Sequence, residues 1–524
     1  MPVVRFFFNV NDDRSDEEQF IIVALMIRFS PNPNRANLIR WHEWGDEAFR
    51  KAREQDKPVM LFLTAFWCRF CQRMDEGAFS DDENIALLNA YFVAIRAEDM
   101  QRPDLNTRYN LNGWPTIAFM APQGELLGAT NYLPPEEFGI LLARLHMLYQ
   151  EKKNEIRAAQ NTSPETSSGT SPVSMREHPT GSSLLAITTV IMELADRVNG
   201  GYGGGQKFIH PEANDFLLAR YQTTKDSSYL DHVCLTLDRM RAGEMHDHQE
   251  AGYFRTCSNA DWSRPHREKL LGEQAGLLGN CLSVFRITQR IEYARMAEDI
   301  IGYIDGKLFH VANGGFRGCE DFLRNETTKD PSEDEYFTII DECIYTDANA
   351  QTIGAYLEAT ETLGKPSYRE RALRALDFLW DHCRCSDGGM FHYFDGAAHV
   401  SGLLNDQTRM GTALLKAHRA TGEVKYLEAA GELADFILAR LKNADGGYYD
   451  VASPGFAYLS FRLALIEQNG PAVLFFLALA EATGNAIYRD AALWGLSAFT
   501  GDFSSYGIHA SAFGQALDEF MKAC

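Results

Sequence analysis

The sequence lacks the features that mark membrane and secreted proteins. No apolar run approaches the roughly 18–20 residues that a membrane-spanning helix needs, and the nearest, Phe20–Phe29, is ten residues long. Acidic residues precede that run, which is the wrong charge for the start of a signal peptide. We therefore expect a cytoplasmic protein with no membrane partner, in which Met26 is an alternative start of the chain.

Cysteine and basic charge are also scarce. Ten cysteines in 524 residues are too few for a disulfide framework and fit a reducing compartment. The 50 Lys and Arg residues are outnumbered by 72 Asp and Glu residues, so the formal net charge is −22. An acidic surface repels phosphate backbones, which argues against a nucleic-acid partner. The sequence has no glycine-rich phosphate loop between a strand and a helix, so we expect no nucleotide cofactor.

What the chain does contain is divided by one polar stretch. Residues 151–183 are rich in Ser, Thr, Pro and Gly and offer almost nothing to bury, which is typical of a linker. We therefore expect an N-terminal extension over residues 1–34 and a first domain over residues 35–150. After this linker, a second domain covers residues 184–524.

The first domain alternates strand and helix signals. Short apolar runs predict strands at Pro58–Trp67, Phe92–Ala97 and Thr116–Met120. Helical spacing of apolar residues predicts helices at Asp82–Tyr91 and Pro135–Tyr149. Alternation of this kind favours an α/β layer fold.

The second domain has almost no strand signal and consists of amphipathic helices. A short glycine–aromatic element recurs between them, with its last glycine at positions 201, 252, 315, 389 and 447. Each interval has room for two helices, so the repeat predicts helical hairpins that form a solenoid or a closed toroid. Ser505–Gly507 fits a degenerate sixth copy, and six hairpins would close into an (α/α)6 barrel. The alternative is that each glycine merely ends a helix.

Cys68 and Cys71 form a Cys-x-x-Cys motif that follows a predicted buried strand and precedes helical residues. In that context the motif predicts a dithiol redox site. The helix N-terminus would stabilise a thiolate at Cys68, the attacking nucleophile, and Cys71 would resolve the mixed disulfide. The alternatives are a zinc half-site or an inert pair. Zinc needs two more ligands and the sequence has no second Cys-x-x-Cys, so we expect no metal.

A proline lies beside the predicted dithiol. Trp114 and Pro115 follow a glycine and precede the strand predicted at Thr116–Met120. A cis-proline there would place backbone next to the cysteines and receive an extended substrate. We assign Trp67, Trp114 and Pro115 to substrate binding.

Motifs in both domains resemble those of a known family. They are Trp41–Phe49, Lys57-Pro58, the Cys-x-x-Cys motif, Arg102–Asp104, Gly113–Pro115, Lys207-Phe208, Asp261-Trp262, Pro265-His266, Glu268–Leu271, Asp406-Gln407 and Ala510–Phe513. Over residues 35–524 the chain resembles the spermatogenesis-associated thioredoxin-like proteins, which carry a C-terminal six-hairpin-glycosidase domain. Two positions depart from the family pattern: Arg267 stands where an aromatic is frequent, and Arg69-Phe70 stands where His-Trp is common.

This resemblance implies a multidomain α/β plus all-α protein. A thioredoxin-like domain would be followed by an (α/α)6 toroid, six-hairpin glycosidase-like and similar to that of N-acylglucosamine 2-epimerase. The toroid implies carbohydrate chemistry, which needs acid–base groups over an aromatic floor. Epimerisation beside a carbonyl commonly uses histidines, and hydrolysis uses two carboxylates. Candidates near the predicted loops are His210, Asp261, His266, Glu268, Lys269, Asp341, Asp347, His392, Asp406 and His509.

Among these candidates we assign catalysis to His266 and Glu268. Substrate binding would involve Asp261, Lys269 and Asp406, with Phe254 and Trp262 as a stacking surface. The expected protein combines a dithiol/disulfide site, which exchanges with a redox partner protein, and a barrel that acts on a sugar, in the manner of an epimerase or isomerase. The alternative is a thiol–disulfide protein whose barrel only binds a glycan or a protein partner.

Overall fold

A computed structural model describes residues 27–160, 179–324 and 336–523. The first 26 residues of the expected extension and most of the expected linker lie outside these described residues. The chain divides into two compact units, which we call the head (residues 1–169 and 455–461) and the barrel (residues 170–454 and 462–524). Within the described part of the chain, no helix combines the length and the apolar character needed to cross a membrane.

The head is a five-stranded mixed sheet between two layers of helices. Its strands, in the spatial order β1-β3-β2-β4-β5, are β1 (Trp41–His42), β2 (Val59–Thr64), β3 (Val93–Glu98), β4 (Thr116–Met120) and β5 (Leu126–Thr130). β2 runs parallel to β3 and antiparallel to β4. The helices are α1 (Asp46–Gln55), α2 (Arg69–Glu76), α3 (Asp82–Tyr91), α4 (Pro103–Tyr109) and α5 (Pro135–Gln160).

The nearly continuous apolar sequence of β2 is explained by the burial of both faces of the strand. Its six residues are all buried, and alternate side chains enter two separate cores. Phe62 packs in the core with α2, α3 and α5, whereas Leu61 packs in the core with α1 and α4. A strand covered on both faces has no solvent side and therefore no polar alternation. The α/β interpretation is confirmed.

The barrel is built from two concentric sets of helices. The inner helices are α7 (Pro211–Thr224), α9 (Leu271–Thr288), α11 (Thr346–Leu363), α13 (Leu404–Thr421), α15 (Ile466–Thr483) and α17 (Ser511–Lys522). Each packs against the next, and α17 packs against α7, so the ring is closed. The outer helices are α6 (Gly181–Leu194), α8 (Ser227–Ala242), α10 (Ile291–Tyr303), α12 (Pro366–His382), α14 (Val424–Phe436) and α16 (Ala486–Leu496). The predicted (α/α)6 toroid is confirmed.

Short strands lie in the loops that lead from outer to inner helices. They are β6 (Lys207–Phe208), β7 (Thr256–Cys257), β8 (Pro265–His266), β9 (Lys269–Leu270), β10 (Cys319–Arg324), β11 (Tyr336–Asp341), β12 (Ile344–Tyr345), β13 (Phe391–Phe394) and β14 (Ala398–Ser401). They form three small three-stranded sheets at the end of the ring where the inner helices begin.

The glycine–aromatic elements occupy these same loops and do not end the outer helices. Gly201 and Gly314 have φ values of +68° and +88°, which a residue with a side chain rarely adopts. The residue after the turn then closes a β-bridge to the end of the outer helix, as Tyr202 does with Ala195 and Phe316 with Phe309. Five copies make this bridge. The regular recurrence therefore reflects a repeated tertiary turn and not a set of helix caps.

A side-chain amide on the fourth residue of an inner helix holds four of these turns. Asn349 accepts a hydrogen bond from Phe316 N at 2.7 Å and donates one to Phe316 O at 2.8 Å. Gln274, Gln407 and Asn469 make the same pair of bonds to Tyr253, Met390 and Tyr448. The sequence carries this signal as Asn or Gln at the fourth position of these four inner helices, and it was not used in the predictions above.

The Asn349→Ala variant is expected to lower the free energy of unfolding by ~2–4 kcal/mol, because it leaves two buried backbone groups of Phe316 without partners. Chemical denaturation followed by circular dichroism measures this difference. The control is Asn259→Ala, at an exposed position, which loses an amide that donates to Ser263 Oγ at 2.9 Å. If both variants lose the same free energy of unfolding, the hydrogen bonds of the Asn349 amide do not stabilise the turn.

Candidate functional site

The first candidate site is the cysteine pair at the start of α2. Cys68 is the N-cap of this helix, and its Sγ accepts a hydrogen bond from Cys71 N at 3.1 Å. The two cysteines are joined by a disulfide and are 5% and 2% exposed. A sulfur at this position faces the free amides of the first helical turn, which favour its thiolate once the bond is reduced.

The peptide bond between Trp114 and Pro115 is cis, and Trp114 packs against the core cluster that contains both cysteines. The ring of Trp114 meets the ring of Trp67 edge to face, with centroids 5.0 Å apart. Asn131 Nδ2 donates to Pro115 O at 3.0 Å and so fixes the proline loop from β5. The structure thus brings together the three residues that the sequence assigns to substrate binding beside the cysteines. Their role in binding stays a prediction.

The surface around the cysteines is aromatic. Phe70, between the two cysteines, is 48% exposed, and its ring lies 5.3 Å from the ring of Tyr132. The guanidinium of Arg73 covers the same Phe70 ring at 5.3 Å. Exposed aromatic rings next to a reactive group are typical of a contact surface for another chain.

A buried carboxylate positions the loop that leads into the motif. Glu98, the last residue of β3, accepts hydrogen bonds from Phe66 N and Gln101 N, both at 2.9 Å. Phe66 lies two residues before Cys68, so this carboxylate ties the cysteine loop to the neighbouring parallel strand.

The second candidate site is the end of the barrel where the inner helices begin. Five of those helices carry an acid in their first turn, where it complements the helix dipole; these acids are Glu212, Glu273, Asp347, Asp406 and Glu467. Because the inner helices run parallel around a closed ring, these acids lie at the same end of the barrel. We call this end, where the inner helices begin, the mouth. The sequence candidates included Asp347 and Asp406 and missed the other three.

His392 and Asp406 form a buried pair at this mouth. His392, on β13, contacts Asp406 Oδ1 and Oδ2 through Nδ1 at 2.9 and 3.2 Å, and both side chains are at most 3% exposed. Burial and the nearby Asp347 raise the pKa of Asp406 to about 6, against the lowering effect of His392. Ligand atoms of Asp347, His392 and Asp406 lie within 4.8 Å of one another, a spacing that a metal ion would also tolerate.

An arginine crosses the mouth. Arg409, on α13, forms an ion pair with Glu212 of α7 at 3.6 Å and donates a hydrogen bond to Gln351 of α11. Three inner helices are thereby linked through polar side chains. Neither Arg409 nor Gln351 was predicted from the sequence, because long polar side chains on an amphipathic helix ordinarily face solvent.

Glu273, on the first turn of α9, is the acid whose ionisation the fold disfavours most clearly. Burial raises its pKa to about 8, against the lowering effect of the Arg255 charge, and the charges of Glu268 and Glu212 raise it further. Its Oε2 atom is buried and has no hydrogen-bond partner within the described residues. The carboxyl is therefore protonated at neutral pH.

The Glu273→Gln variant is expected to be more stable than the parent protein at about pH 9, by ~2 kcal/mol. The folded state holds the proton up to about pH 8, whereas an ordinary glutamate releases it near 4.5. Unfolding therefore releases a proton between these values, and stability falls as the pH rises through them. Urea unfolding at about pH 4.5 and about pH 9 tests this. The Glu467→Gln variant, at an exposed position of α15, keeps Glu273 and should lose stability between these two pH values as the parent does.

The residues we assigned to barrel catalysis lie in different surroundings. His266 is exposed, and its Nε2 contacts Ser258 Oγ at 3.2 Å. Glu268 is buried and accepts a hydrogen bond from Arg255 Nε at 2.7 Å. The exposed Asp261 accepts one from Ser263 Oγ at 2.6 Å. The structure does not pair His266 with Glu268, and their catalytic roles stay predictions.

The three remaining candidates of this segment are buried in the barrel core. Phe254 and Trp262 are 5% and 1% exposed. Trp262 Nε1 donates to Asn199 O at 2.7 Å, which fixes the ring inside a loop. Lys269 donates to Asp247 Oδ2 and to Ala251 O, both at 2.8 Å. Their substrate-binding roles also stay predictions.

The other histidines and acids of the candidate set are divided between the mouth and the core. His210 immediately precedes α7, and burial lowers its pKa, as does the charge of His509. His509 is exposed and precedes α17. Asp341 is buried and accepts a hydrogen bond from the Tyr345 hydroxyl at 2.8 Å. His210 and His509 thus join Asp347, His392 and Asp406 at the end where the inner helices begin.

Comparison with known proteins agrees with both units. Residues 32–166 match the family model described as Thioredox_DsbH, a protein of unknown function (DUF255). Spermatogenesis-associated protein 20 of Homo sapiens is 28% identical over 307 residues, covering 54% of this chain and 39% of that protein. Thiol:disulfide interchange protein DsbD of Yersinia pestis is 36% identical over 96 residues, covering 17% and 16% of the two chains. The chain thus spans less than half the length of these relatives.

Among solved structures, the cellobiose 2-epimerase of Spirochaeta thermophila DSM 6192 is similar in fold. The TM-score is 0.51 at 13% sequence identity, and the match covers 66% of this chain and 97% of the epimerase chain. At that identity the likeness establishes the toroid fold and leaves the chemistry open.

Proposed function

We propose, from the match of residues 32–166 to the Thioredox_DsbH (DUF255) family model, that the head is a thiol–disulfide oxidoreductase whose working pair is Cys68 and Cys71. The observation that carries this proposal is the bonded cysteine pair at the N-terminus of α2. An inert structural disulfide needs neither a helix N-terminus nor an aromatic contact surface.

The proposed reaction proceeds in two exchanges. The Cys68 thiolate attacks one sulfur of a substrate disulfide, a bond forms between these sulfurs, and the other substrate sulfur leaves as a thiolate. Cys71 then loses its proton to solvent and attacks Cys68 Sγ, which releases the second substrate thiolate. The substrate gains two electrons, the pair is oxidised to the disulfide, and a dithiol of a redox partner protein returns it to the reduced state.

Equilibration with glutathione tests this proposal. The reduced protein is mixed with glutathione buffers of increasing oxidation, and the Cys68–Cys71 disulfide is quantified by alkylation and mass spectrometry. A defined equilibrium constant is expected. The Cys71→Ser variant should accumulate a mixed disulfide at Cys68. A pair that stays oxidised or reduced in every buffer would overturn the assignment.

A second candidate function concerns the barrel, and it rests on the buried His392–Asp406 pair. We propose that this pair transfers a proton at a carbon beside the carbonyl of a sugar, as an epimerase or isomerase requires. An imidazole titrates near neutral pH, and a carboxylate on Nδ1 fixes which ring nitrogen carries the proton. The acids and Arg409 around the pair supply hydrogen-bonding groups for hydroxyls.

Proton NMR in D2O tests the barrel proposal. A panel of free sugars and N-acyl sugars is incubated with the full chain. Deuterium at the carbon beside the anomeric centre, or a new epimer, is the expected result. If calorimetry detects a bound sugar and no sugar exchanges, the barrel is a binding module and the proton-transfer proposal fails.

A further inference from the structure

A short segment before the first strand fastens the helix that carries both cysteines. We call residues 27–32 the strap. Ser30 N donates to Asp75 Oδ2 at 2.8 Å, and Ser30 Oγ donates to Glu76 Oε1 at 2.6 Å. Asn32 Nδ2 donates to the same Glu76 oxygen at 2.8 Å. Asp75 and Glu76 are the last two residues of α2, so the strap holds the end of the helix opposite to Cys68.

Asp75 is also bound from the sheet. Arg96, on β3, donates two parallel hydrogen bonds to it, Nη1 to Oδ1 at 2.7 Å and Nη2 to Oδ2 at 2.9 Å. The side chains of Arg96 and Asp75 are 6% and 1% exposed. With the strap amide, Asp75 receives three hydrogen bonds, which compensates a buried carboxylate for the water it has lost.

Aromatic rings enclose the guanidinium of Arg96. It lies 4.9 Å from the ring centroid of Phe29, 4.9 Å from that of Phe62 and 5.5 Å from that of Trp41. Phe29 belongs to the strap, so the strap binds both members of the ion pair. Ser30 and Phe29 therefore close a single buried cluster that joins the strap, β3 and α2.

The cluster lies on the cysteine side of the helix. Asp75 follows Cys71 by four residues, and residues at this spacing share one face of a helix. In the oxidised protein the disulfide restrains the first turn of α2, and the cluster restrains the last. Reduction removes the first restraint and leaves the second.

We propose that Asp75 and Arg96, with the strap, are positioning residues for the dithiol, an inference that rests on the proposed function of the head. They hold α2 in one place after reduction, so the two thiols stay close and the disulfide re-forms readily. Ordering of this kind raises the effective concentration of one thiol at the other. Loosening the cluster lowers the equilibrium constant for disulfide formation.

The Asp75→Asn variant keeps the shape of the side chain and removes its charge. Its equilibrium constant for disulfide formation against glutathione should fall by ~10-fold. A double variant, Ser30→Ala with Asn32→Ala, removes both contacts to Glu76 and the bond from Asn32 N to Ser30 Oγ, keeps the Asp75–Arg96 pair, and should lower the constant by ~3-fold. It replaces the first variant if Asp75→Asn does not fold.

The control removes an ion pair of the head that does not touch α2. Asp56 accepts hydrogen bonds from Lys153 Nζ at 2.8 Å and Tyr149 Oη at 2.9 Å, and links α5 to the end of α1. Asp56→Asn should lower the melting temperature and leave the equilibrium constant unchanged. If Asp75→Asn behaves in the same way, the cluster is merely structural and the inference is overturned. If the parent protein itself does not exchange with glutathione, the proposed function has failed instead.

Discussion

Replacing Cys68 with serine is expected to lower the rate of disulfide exchange by at least ~1000-fold. A hydroxyl at this position stays protonated near neutral pH, and it cannot form a bond to sulfur in place of the thiolate. The Cys71→Ser variant should instead retain the first attack and lose release of the substrate. Rates are measured with the full chain and a disulfide peptide that carries a fluorophore and its quencher, so that the two steps are seen separately.

The remaining cysteines provide the control for this experiment. Cys257 is buried, and its burial raises the thiol pKa to about 12, so it carries almost no thiolate at neutral pH. The Cys257→Ser variant should exchange as fast as the parent. If disulfide exchange persists in Cys68→Ser and is lost in Cys257→Ser, the reactive thiol lies in the barrel and not in the head.

In the barrel, the His392→Ala variant is expected to slow deuterium exchange into a substrate sugar by at least ~100-fold. The imidazole is the proposed proton carrier, and alanine leaves Asp406 without the group that it orients. Asp406→Asn keeps the imidazole and should slow exchange less, because it disturbs the placement of the proton and not the carrier. Both rates are followed by proton NMR in D2O.

His266→Ala separates this proposal from the assignment made on the sequence. The side chain is exposed and contacts Ser258, so its removal should neither unfold the barrel nor slow exchange. Loss of exchange in His266→Ala, with normal exchange in His392→Ala, would restore the sequence-based assignment. Circular dichroism of both variants checks that the helices are intact.

The dithiol and the hairpin repeat could be predicted because each depends on residues close together in sequence. Cys68 and Cys71 lie within one helical turn, and the preceding strand is recognisable from its own apolar run. Each copy of the glycine–aromatic element is likewise recognisable from a few adjacent residues, although a side-chain amide of an inner helix completes four of the turns. Local conformational preferences act over a few residues, so they are present in the sequence itself.

The strap was not predictable in this way. Residues 27–34 fall within the expected N-terminal extension, yet Ser30 contacts Asp75, 45 positions further along the chain. Arg96 and Asp75 are 21 positions apart and belong to different elements. No sequence pattern around either residue predicts a buried ion pair, because the two side chains meet only when α2 packs on the sheet.

The sequence alone indicated the two kinds of fold, the Cys-x-x-Cys motif and the helical-hairpin repeat, since short-range turn chemistry and apolar periodicity encode them. Only the tertiary structure decided which polar residues meet. Closure of the inner ring brings His392, Asp406 and Arg409 to one mouth, whereas it leaves His266 at the surface and Trp262 in the core. Side chains from distant segments come into contact only when long-range packing fixes the helices that carry them, and no local pattern records that arrangement.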